Sequence, residues 1–286
     1  MGCWLEDKFR AKAAHLLPEI WTLIAAGILT VGIVESKIEI EVITAFPETP
    51  SGATMNMTLF IVIMAVIASV MYVLVKHGLE RIFRAILRTA IVIVLLILLS
   101  WYSGALFAIL RMPEELVDGA TIVLASTLTI ILAYAINRMK GTAQLVSITT
   151  LGAMLGTFLG ASIPTLTVIV LLVGLSVYDI LAVFKGPIGK IAEKTDLQSL
   201  SGATFTFGDL TVGLGDLVFY SMLASHTMLS FGLIPYVATS IGIVIGTFLG
   251  FKMLERRSIF PGLPLSLISG LGFMLVTLFL QRTFLS

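Results

Sequence analysis

Charged residues are scarce in this chain. Only 12% of its 286 residues are Asp, Glu, Lys or Arg, and 58% are hydrophobic. Soluble domains carry about 25% charged residues, so the composition excludes an ordinary soluble domain and indicates a membrane protein. The formal net charge is +1 and no basic patch stands out, which argues against nucleic acid as a partner.

Cysteine is almost absent, with Cys3 as the single example. One cysteine excludes an intramolecular disulfide and a thiolate metal cluster. The three histidines, His15, His77 and His226, have no metal-ligand spacing among them, so we expect them to pack or to lie at the membrane interface. The sequence therefore predicts no metal site and no cofactor.

Long apolar runs, by contrast, fill most of the chain. A bilayer core of about 30 Å needs about 20 apolar residues in a helix. Nine runs reach or approach this length: Pro18–Val34, Met57–Val75, Thr89–Leu110, Ala120–Ile136, Ala143–Ala161, Pro164–Phe184, Asp216–Gly232, Ile234–Met253 and Pro261–Leu280. The predicted fold class is an all-α polytopic membrane protein with nine transmembrane helices.

The basic residues alternate from one connection to the next. All but three of the 18 Lys and Arg residues lie in the N-terminal arm and in every second connection; the exceptions are Lys37, Arg111 and Arg282. Basic residues favour the cytoplasmic side, so the N-terminus is predicted to be cytoplasmic and the C-terminus outside. A missed helix would scramble this alternation, which supports the count of nine.

Two connections alternate apolar and polar residues, as short strands do. One is Lys37–Ile43 in the first connection, and the other is Gly202–Gly208 in the long cytoplasmic loop 185–215. Glycines also repeat every four residues in the fifth and eighth runs. Such faces allow close helix contact, and we predict packing as their role: Gly152, Gly156 and Gly160, and Gly242, Gly246 and Gly250.

Two aspartates lie inside or at the head of these apolar runs. An Asp at mid-bilayer costs at least about 2.5–3.5 kcal/mol, and less towards the interface. Asp179 precedes the cytoplasmic Lys185 by six residues, which places it about 9 Å inside the membrane. Asp216 begins the next helix from the same side. Because the two helices run in opposite directions, the carboxylates are predicted to meet at similar depth.

Paired carboxylates suit the hydrolysis of peptides. Two close carboxylates cannot both ionise readily, so they share a proton. The ionised member takes a proton from water, and the protonated member donates to the carbonyl under attack. This chemistry needs neither a covalent intermediate nor a metal. Because the pair titrates as a unit, the sequence does not assign the acid and the base to Asp179 or Asp216.

Short glycine and proline motifs lie near the predicted pair. Gly213 and Gly215 flank Leu214 and remove side-chain bulk beside Asp216, although a plain helix start with Asp216 as N-cap is the alternative. Pro261-Gly262-Leu263-Pro264 resists helix formation at the entry of the ninth run. An ordinary helix start with Pro in the first turn is the alternative for this motif.

Taken together, these motifs resemble the three signatures of the presenilin and signal peptide peptidase family of intramembrane aspartyl proteases. They are Tyr178-Asp179, Gly213-Leu214-Gly215-Asp216 and Pro261-Gly262-Leu263-Pro264. The predicted topology and the stretches 176–187 and 213–221 are similar to presenilins, and the short loop between the aspartates is similar to a microbial, archaeal homologue. One departure is Gly262, where the family has alanine.

The resemblance implies a role for each matched position. It makes Asp179 and Asp216 the catalytic pair, and it places the remaining motif residues beside them to position the substrate: Tyr178, Gly213, Leu214, Gly215, Pro261, Gly262, Leu263 and Pro264. Residues 1–163 would form a scaffold of five helices, and residues 164–286 would form the catalytic helices with loop 185–215.

The resemblance also implies partners and a location. The substrates would be transmembrane-helix proteins in the lipid bilayer of the cell membrane, and no accessory subunit is demanded, with oligomerisation left open. A substrate helix must unwind before it is cut, and our hypothesis is that Thr204–Phe207 pairs with it as an added strand.

Two other functions use buried or loop aspartates. A cation or proton transporter or channel could use the same pair, but the sequence lacks an evident inverted repeat with matching broken helices. A prepilin-type peptidase also uses a Gly-x-Gly-Asp aspartate, but it lacks the Pro-Gly-Leu-Pro element.

Overall fold

The computed structural model describes residues 10–185, 204–207, 210–255 and 261–284. A 3₁₀ turn, Ala13–Leu16, precedes nine α-helices in these residues: α1 Leu17–Ser36, α2 Pro50–Lys76, α3 Glu80–Ile109, α4 Glu114–Arg138, α5 Thr142–Ser162, α6 Thr165–Lys185, α7 Leu214–Phe231, α8 Leu233–Leu254 and α9 Leu263–Phe284. The prediction of an all-α chain with nine helices is confirmed for this part of the molecule. Most of the predicted loop 185–215 and residue Cys3 lie outside the described residues.

Eight of the nine helices are long and apolar enough to span a membrane, and α7 is the exception. This helix has 18 residues and includes Gly215 and Asp216 in its first turn. Every residue from Leu217 to Thr227 is buried, with α1, α5, α8 and α9 packed around the helix. The helix that carries Asp216 is therefore the central helix of the bundle, enclosed by protein rather than by lipid.

Several helices begin earlier than the apolar runs indicate. Helix α2 begins at Pro50 rather than at Met57, because Pro50 suits the first helical position and the Thr49 side chain accepts a hydrogen bond from Gly52 N at 3.0 Å. Helix α3 begins at Glu80 rather than at Thr89. The apolar run marks the part of a helix that suits lipid, and the helix itself continues beyond it.

The glycine face of α5 packs directly against α7, as predicted. A Cβ atom on Gly156 would collide with Ser221 and Val218, and one on Gly160 would lie 2.6 Å from the Met222 carbonyl oxygen. Ser221 Oγ in turn donates to the Gly152 carbonyl at 3.0 Å. The two backbones thus approach closely, which fixes the position of the helix bearing Asp216.

The glycine face of α8 is confirmed in two of its three positions. A Cβ atom on Gly242 would lie 2.8 Å from the Ser269 carbonyl oxygen of α9, and one on Gly246 would collide with Leu265. Gly250 is also buried, but a Cβ atom there would meet none of the described residues within 4 Å, so a packing role at this position stays a prediction. The close contact between α8 and α9 lies near the start of α9.

The two predicted strands have different outcomes. Lys37–Ile43 forms no strand; it contacts the end of α5 instead, where Ile43 N donates to the Ser162 carbonyl at 3.1 Å. Thr204–Phe207 is a strand, β1, and it pairs antiparallel with β2, Leu210–Gly213. An alternating segment becomes a strand only where a partner supplies the ladder hydrogen bonds. Strand β2 leads directly into α7, so the hairpin lies at the N-terminal end of the helix that carries Asp216.

Candidate active site

Asp216 lies at the third position of α7. Gly213 is the N-cap residue, with an extended backbone, φ −79° and ψ 138°. The alternative in which Asp216 itself serves as the N-cap is therefore wrong. A carboxylate in the first turn interacts favourably with the positive end of the helix dipole, which offsets part of the cost of holding it inside the bundle.

Asp179 comes from α6, two turns before the end of that helix. Its Oδ2 accepts a hydrogen bond from the backbone N–H of Leu263 at 3.2 Å. The Asp179 and Asp216 carboxyl groups are near enough to interact electrostatically, and both are only partly exposed. The structure thus brings the two aspartates near one another, and their pairing as a dyad stays a prediction.

The segment Pro261–Pro264 lies against both aspartates. Leu263 bonds to Asp179 through its N–H, and the preceding residue, Gly262, lies beside Asp216. A Cβ atom on Gly262 would be 3.0 Å from Asp216 Oδ2 and 4.0 Å from the Tyr220 hydroxyl. Two consecutive residues of one segment therefore contact the two carboxylates, which come from different helices.

Three of the predicted neighbours lie near Asp216, but with different surroundings. A Cβ atom on Gly213 would lie 3.7 Å from Asp216 Oδ2, so this glycine borders the carboxylate. Leu214 packs against α5, where its Cδ1 faces Gly152. Gly215 is exposed, and a Cβ atom there would meet nothing within 4 Å. A Cβ atom would be tolerated at both 213 and 215, so the structure gives no local steric reason for glycine at either position.

Tyr178 lies beside α2. Together with Val177 and Leu181 of α6 and Met57 and Ile61 of α2, it lines an apolar groove of about 520 Å³. Tyr178 immediately precedes Asp179, so the groove reaches the turn of α6 that carries this aspartate. Its apolar walls match the chemistry of a transmembrane helix.

Two hydroxyl groups at the site were not predicted from the sequence. The Tyr220 hydroxyl donates to the Gly262 carbonyl at 3.1 Å, and Ser266 Oγ donates to the same carbonyl at 3.2 Å. Tyr220 follows Asp216 by four residues, and Ser266 follows Gly262 by four. Residues four apart share a helix face, so this spacing was the available signal.

The arrangement can perform acid–base chemistry on a carbonyl group. Two adjacent carboxylates can hold one proton between them, and a water molecule beside them can be activated by the ionised member. The Asp179 carboxylate accepts a hydrogen bond from the Leu263 N–H, and this N–H does not bond to Asp216. The two carboxylates therefore have different surroundings. The Gly262 carbonyl, held by two hydroxyl groups, fixes the backbone that passes next to them.

Comparisons with known proteins give a likeness at the level of structure. A scan against protein-family models finds no match, and a search of curated proteins finds none either. Among solved structures, the chain is similar to a presenilin family intramembrane aspartate protease in its C222 crystal form, with a TM-score of 0.64 and 20% sequence identity over 93% of this chain and 98% of that one. The P2 crystal form gives a TM-score of 0.64 and 19% identity over 96% and 99%.

These values establish the fold of the chain. It is the fold of presenilin family intramembrane aspartate proteases, and it extends over nearly the full length of both chains. The resemblance seen in three short motifs is therefore confirmed as a resemblance of the whole bundle.

Proposed function

We propose that this chain is an intramembrane aspartyl protease that hydrolyses peptide bonds within the transmembrane helices of its substrates. The observation that carries the proposal is the contact of Gly262 and Leu263 with Asp216 and Asp179, respectively. A carboxylate pair can activate water for attack on a peptide carbonyl, and a backbone segment held beside it can position an extended substrate. The likeness in fold to proteases of this type supports the same conclusion.

In the proposed reaction, Asp179 and Asp216 share one proton. The ionised carboxylate removes a proton from water as the water oxygen attacks the carbonyl carbon of the substrate. The protonated carboxyl donates to the carbonyl oxygen, and a tetrahedral intermediate forms. When the C–N bond breaks, the protonated carboxyl gives its proton to the departing nitrogen, and the ionised carboxylate takes a proton from a hydroxyl of the intermediate, so the pair again holds one proton.

The remaining motif residues position the substrate in this proposal. The segment Pro261–Pro264 presents its backbone beside the aspartates, and Gly213 leaves space next to Asp216. The unwound substrate adds a strand to the hairpin of β1 and β2, which adjoins α7. Added strands are held by backbone hydrogen bonds, so the hairpin would bind substrates of differing sequence. Tyr178 lines the apolar groove between α2 and α6, where it would contact a substrate helix that enters between them.

The two parts of the chain take separate roles in the proposal. Residues 1–163 form the scaffold, including the close contact of α5 with α7, and residues 164–286 supply the catalytic groups. The protein acts as an integral, multi-pass protein of the cell membrane. It needs no accessory subunit for the chemistry described, since both aspartates come from one chain.

The test uses purified protein in liposomes with a single-span membrane protein as substrate. Wild type should cleave it, and Asp179→Asn and Asp216→Asn should each lower the rate by about a thousandfold or more, as loss of a catalytic group does. Cation and proton flux is measured on the same liposomes. Flux that is lost in both variants, without any cleavage by wild type, would show a transporter or channel instead.

A further inference from the structure

Glu19 is a buried carboxyl group that the proposed reaction does not use. It lies in the first turn of α1, with 3% of its surface exposed. Its Oε1 lies 2.8 Å from Thr247 Oγ1 of α8. Its Oε2 is buried and has no hydrogen-bond partner among the described residues. A carboxylate in such a place is costly unless it is fully paired.

A line of close polar contacts joins Glu19 to the aspartate site. Beyond Thr247, the hydroxyl oxygens of Thr247 and Ser266 are 2.7 Å apart. Ser266 Oγ lies 3.2 Å from the Gly262 carbonyl oxygen, and Gly262 borders Asp216. Three contacts therefore lead from α1 through α8 and α9 to the backbone beside the carboxylate pair.

The number of protons in this line decides which contacts are hydrogen bonds. Each hydroxyl group has one proton to donate. If Glu19 is ionised, Thr247 donates to it and Ser266 donates to Thr247, so Ser266 has no proton left for the Gly262 carbonyl, and of the two hydroxyl groups beside that carbonyl Tyr220 alone donates to it. If Glu19 is protonated, it donates to Thr247, Thr247 donates to Ser266, and Ser266 donates to Gly262. Only the protonated form makes all three contacts hydrogen bonds.

We propose that Glu19 is a positioning residue whose protonated carboxyl directs this chain of donors onto the Gly262 carbonyl and so fixes the segment between the two aspartates. The inference rests on the proposed protease function. It gives α1 a part in the site through a residue 243 positions away from Gly262 in sequence.

The charged surroundings favour the same state. The titratable groups that interact with Glu19 from α7 are Asp216 and Tyr220, which are both acids. An ionised Asp216 would repel a negative charge on Glu19, whereas Tyr220 is a neutral phenol. His15 lies one turn before Glu19, and its ring packs against Phe251 of α8. Thr247 is the hydrogen-bonding group that α8 presents to Glu19.

The first test compares two replacements of Glu19 in proteoliposomes. Glu19→Gln keeps a donor, because its amide NH₂ can donate to Thr247, and it should retain wild-type kcat. Glu19→Met keeps the length without a donor, and its kcat should fall about fivefold, the effect of one hydrogen bond. KM should stay unchanged, because Glu19 touches no substrate.

A second comparison tests whether Glu19 acts through Thr247. Thr247→Val should lower kcat as Glu19→Met does, and the double variant should be no worse than the poorer single variant, since both interrupt one chain. Thr30→Val is the matched control, because Thr30 is a buried hydroxyl of α1 that donates to the Ala26 carbonyl of its own helix. Its kcat should equal that of wild type.

Two outcomes of these assays would overturn the proposal. One is a Glu19→Gln enzyme as impaired as Glu19→Met, since that would make the negative charge the required feature. The other is wild-type kcat in Glu19→Met.

An infrared measurement decides the matter even if no variant cleaves the substrate. In an Asp179→Asn/Asp216→Asn background, the protonated carboxyl of Glu19 should give a C=O stretching band that disappears with Glu19→Gln and persists with Thr30→Val. Failure of wild type to cleave would count against the protease function alone. A missing band would count against the protonated Glu19.

Discussion

At the scale of single residues, Gly262 is the position where the site has least room. A Cβ atom would lie 3.0 Å from Asp216 Oδ2, which is closer than carbon and oxygen ordinarily approach. An alanine can fit if the carboxylate moves by a few tenths of an ångström, whereas the larger branches of valine cannot. The glycine therefore sets how closely the segment approaches Asp216.

We expect Gly262→Ala to fold and to cleave several-fold more slowly, because Asp216 is displaced slightly from Asp179. Gly262→Val should fold and show no measurable cleavage. Initial rates in proteoliposomes measure both, with thermal unfolding followed in parallel. Equal rates for wild type and Gly262→Val would contradict a close contact at this position.

The Tyr220 hydroxyl donates to the carbonyl group of Gly262, and replacing Tyr220 tests what this hydrogen bond contributes. Removal of its hydroxyl in Tyr220→Phe leaves the Gly262 carbonyl with one donor fewer. A typical hydrogen bond contributes about 0.5–1.5 kcal/mol, so kcat should fall about two- to twelvefold. The control is Tyr236→Phe, which removes a 2.7 Å hydrogen bond to the Leu23 carbonyl, between α8 and α1.

The control should lower thermal stability and leave kcat unchanged, since Tyr236 lies on the groove between α1 and α8. A Tyr220→Phe enzyme with wild-type kcat would show that the hydroxyl does not hold the segment for catalysis.

At the scale of elements, the hairpin before α7 is the part available to an unwound substrate. Strand β1 pairs with β2 along one edge only, and consecutive N–H groups on a strand point to opposite edges. Of Phe205 and Thr206, one therefore presents its N–H to the free edge. Proline removes that donor, and alanine retains it.

Phe205 and Thr206 are each changed to proline and, as the matched control, to alanine. At the position with its N–H on the free edge, proline should reduce cleavage of a transmembrane substrate far more than alanine does. The readout is the initial rate at saturating substrate and the KM for each pair. Matching rates for proline and alanine at both positions would remove the strand-addition hypothesis.

How much of the structure the sequence predicts depends on how far apart the interacting residues lie along the chain. The approach of Asp179 to Asp216 was predictable. The rise per residue of a helix, together with the side of the membrane on which its connection lies, gives the depth of each aspartate. The α5 glycine face was predictable from its four-residue period. Contacts between distant helices were not: Thr247 meets Glu19 across 228 positions, and no local pattern marks that pair. Strand β2 was not predicted, because its residues directly precede an apolar run and so indicate the start of a helix.

At the scale of the whole molecule, the orientation in the membrane remains a prediction from the distribution of Lys and Arg. The single cysteine makes it testable. In a Cys3→Ser background, a cysteine is placed at Lys140 or at Arg111, which lie in connections of opposite predicted side. A membrane-impermeant maleimide applied to sealed cells should label the cysteine at 111 and not the one at 140. The opposite pattern would invert the proposed topology.

The most direct test of the account is the mass of the cleavage products. A single-span substrate is incubated in liposomes with wild type, Asp179→Asn and Asp216→Asn, and the intact masses of its fragments locate the broken bond. The account predicts cleavage within the apolar segment by wild type and none by either variant, with all three proteins equally well folded. Fragments cut only outside the apolar segment, or fragments that persist in either variant, would contradict an intramembrane reaction at this aspartate pair.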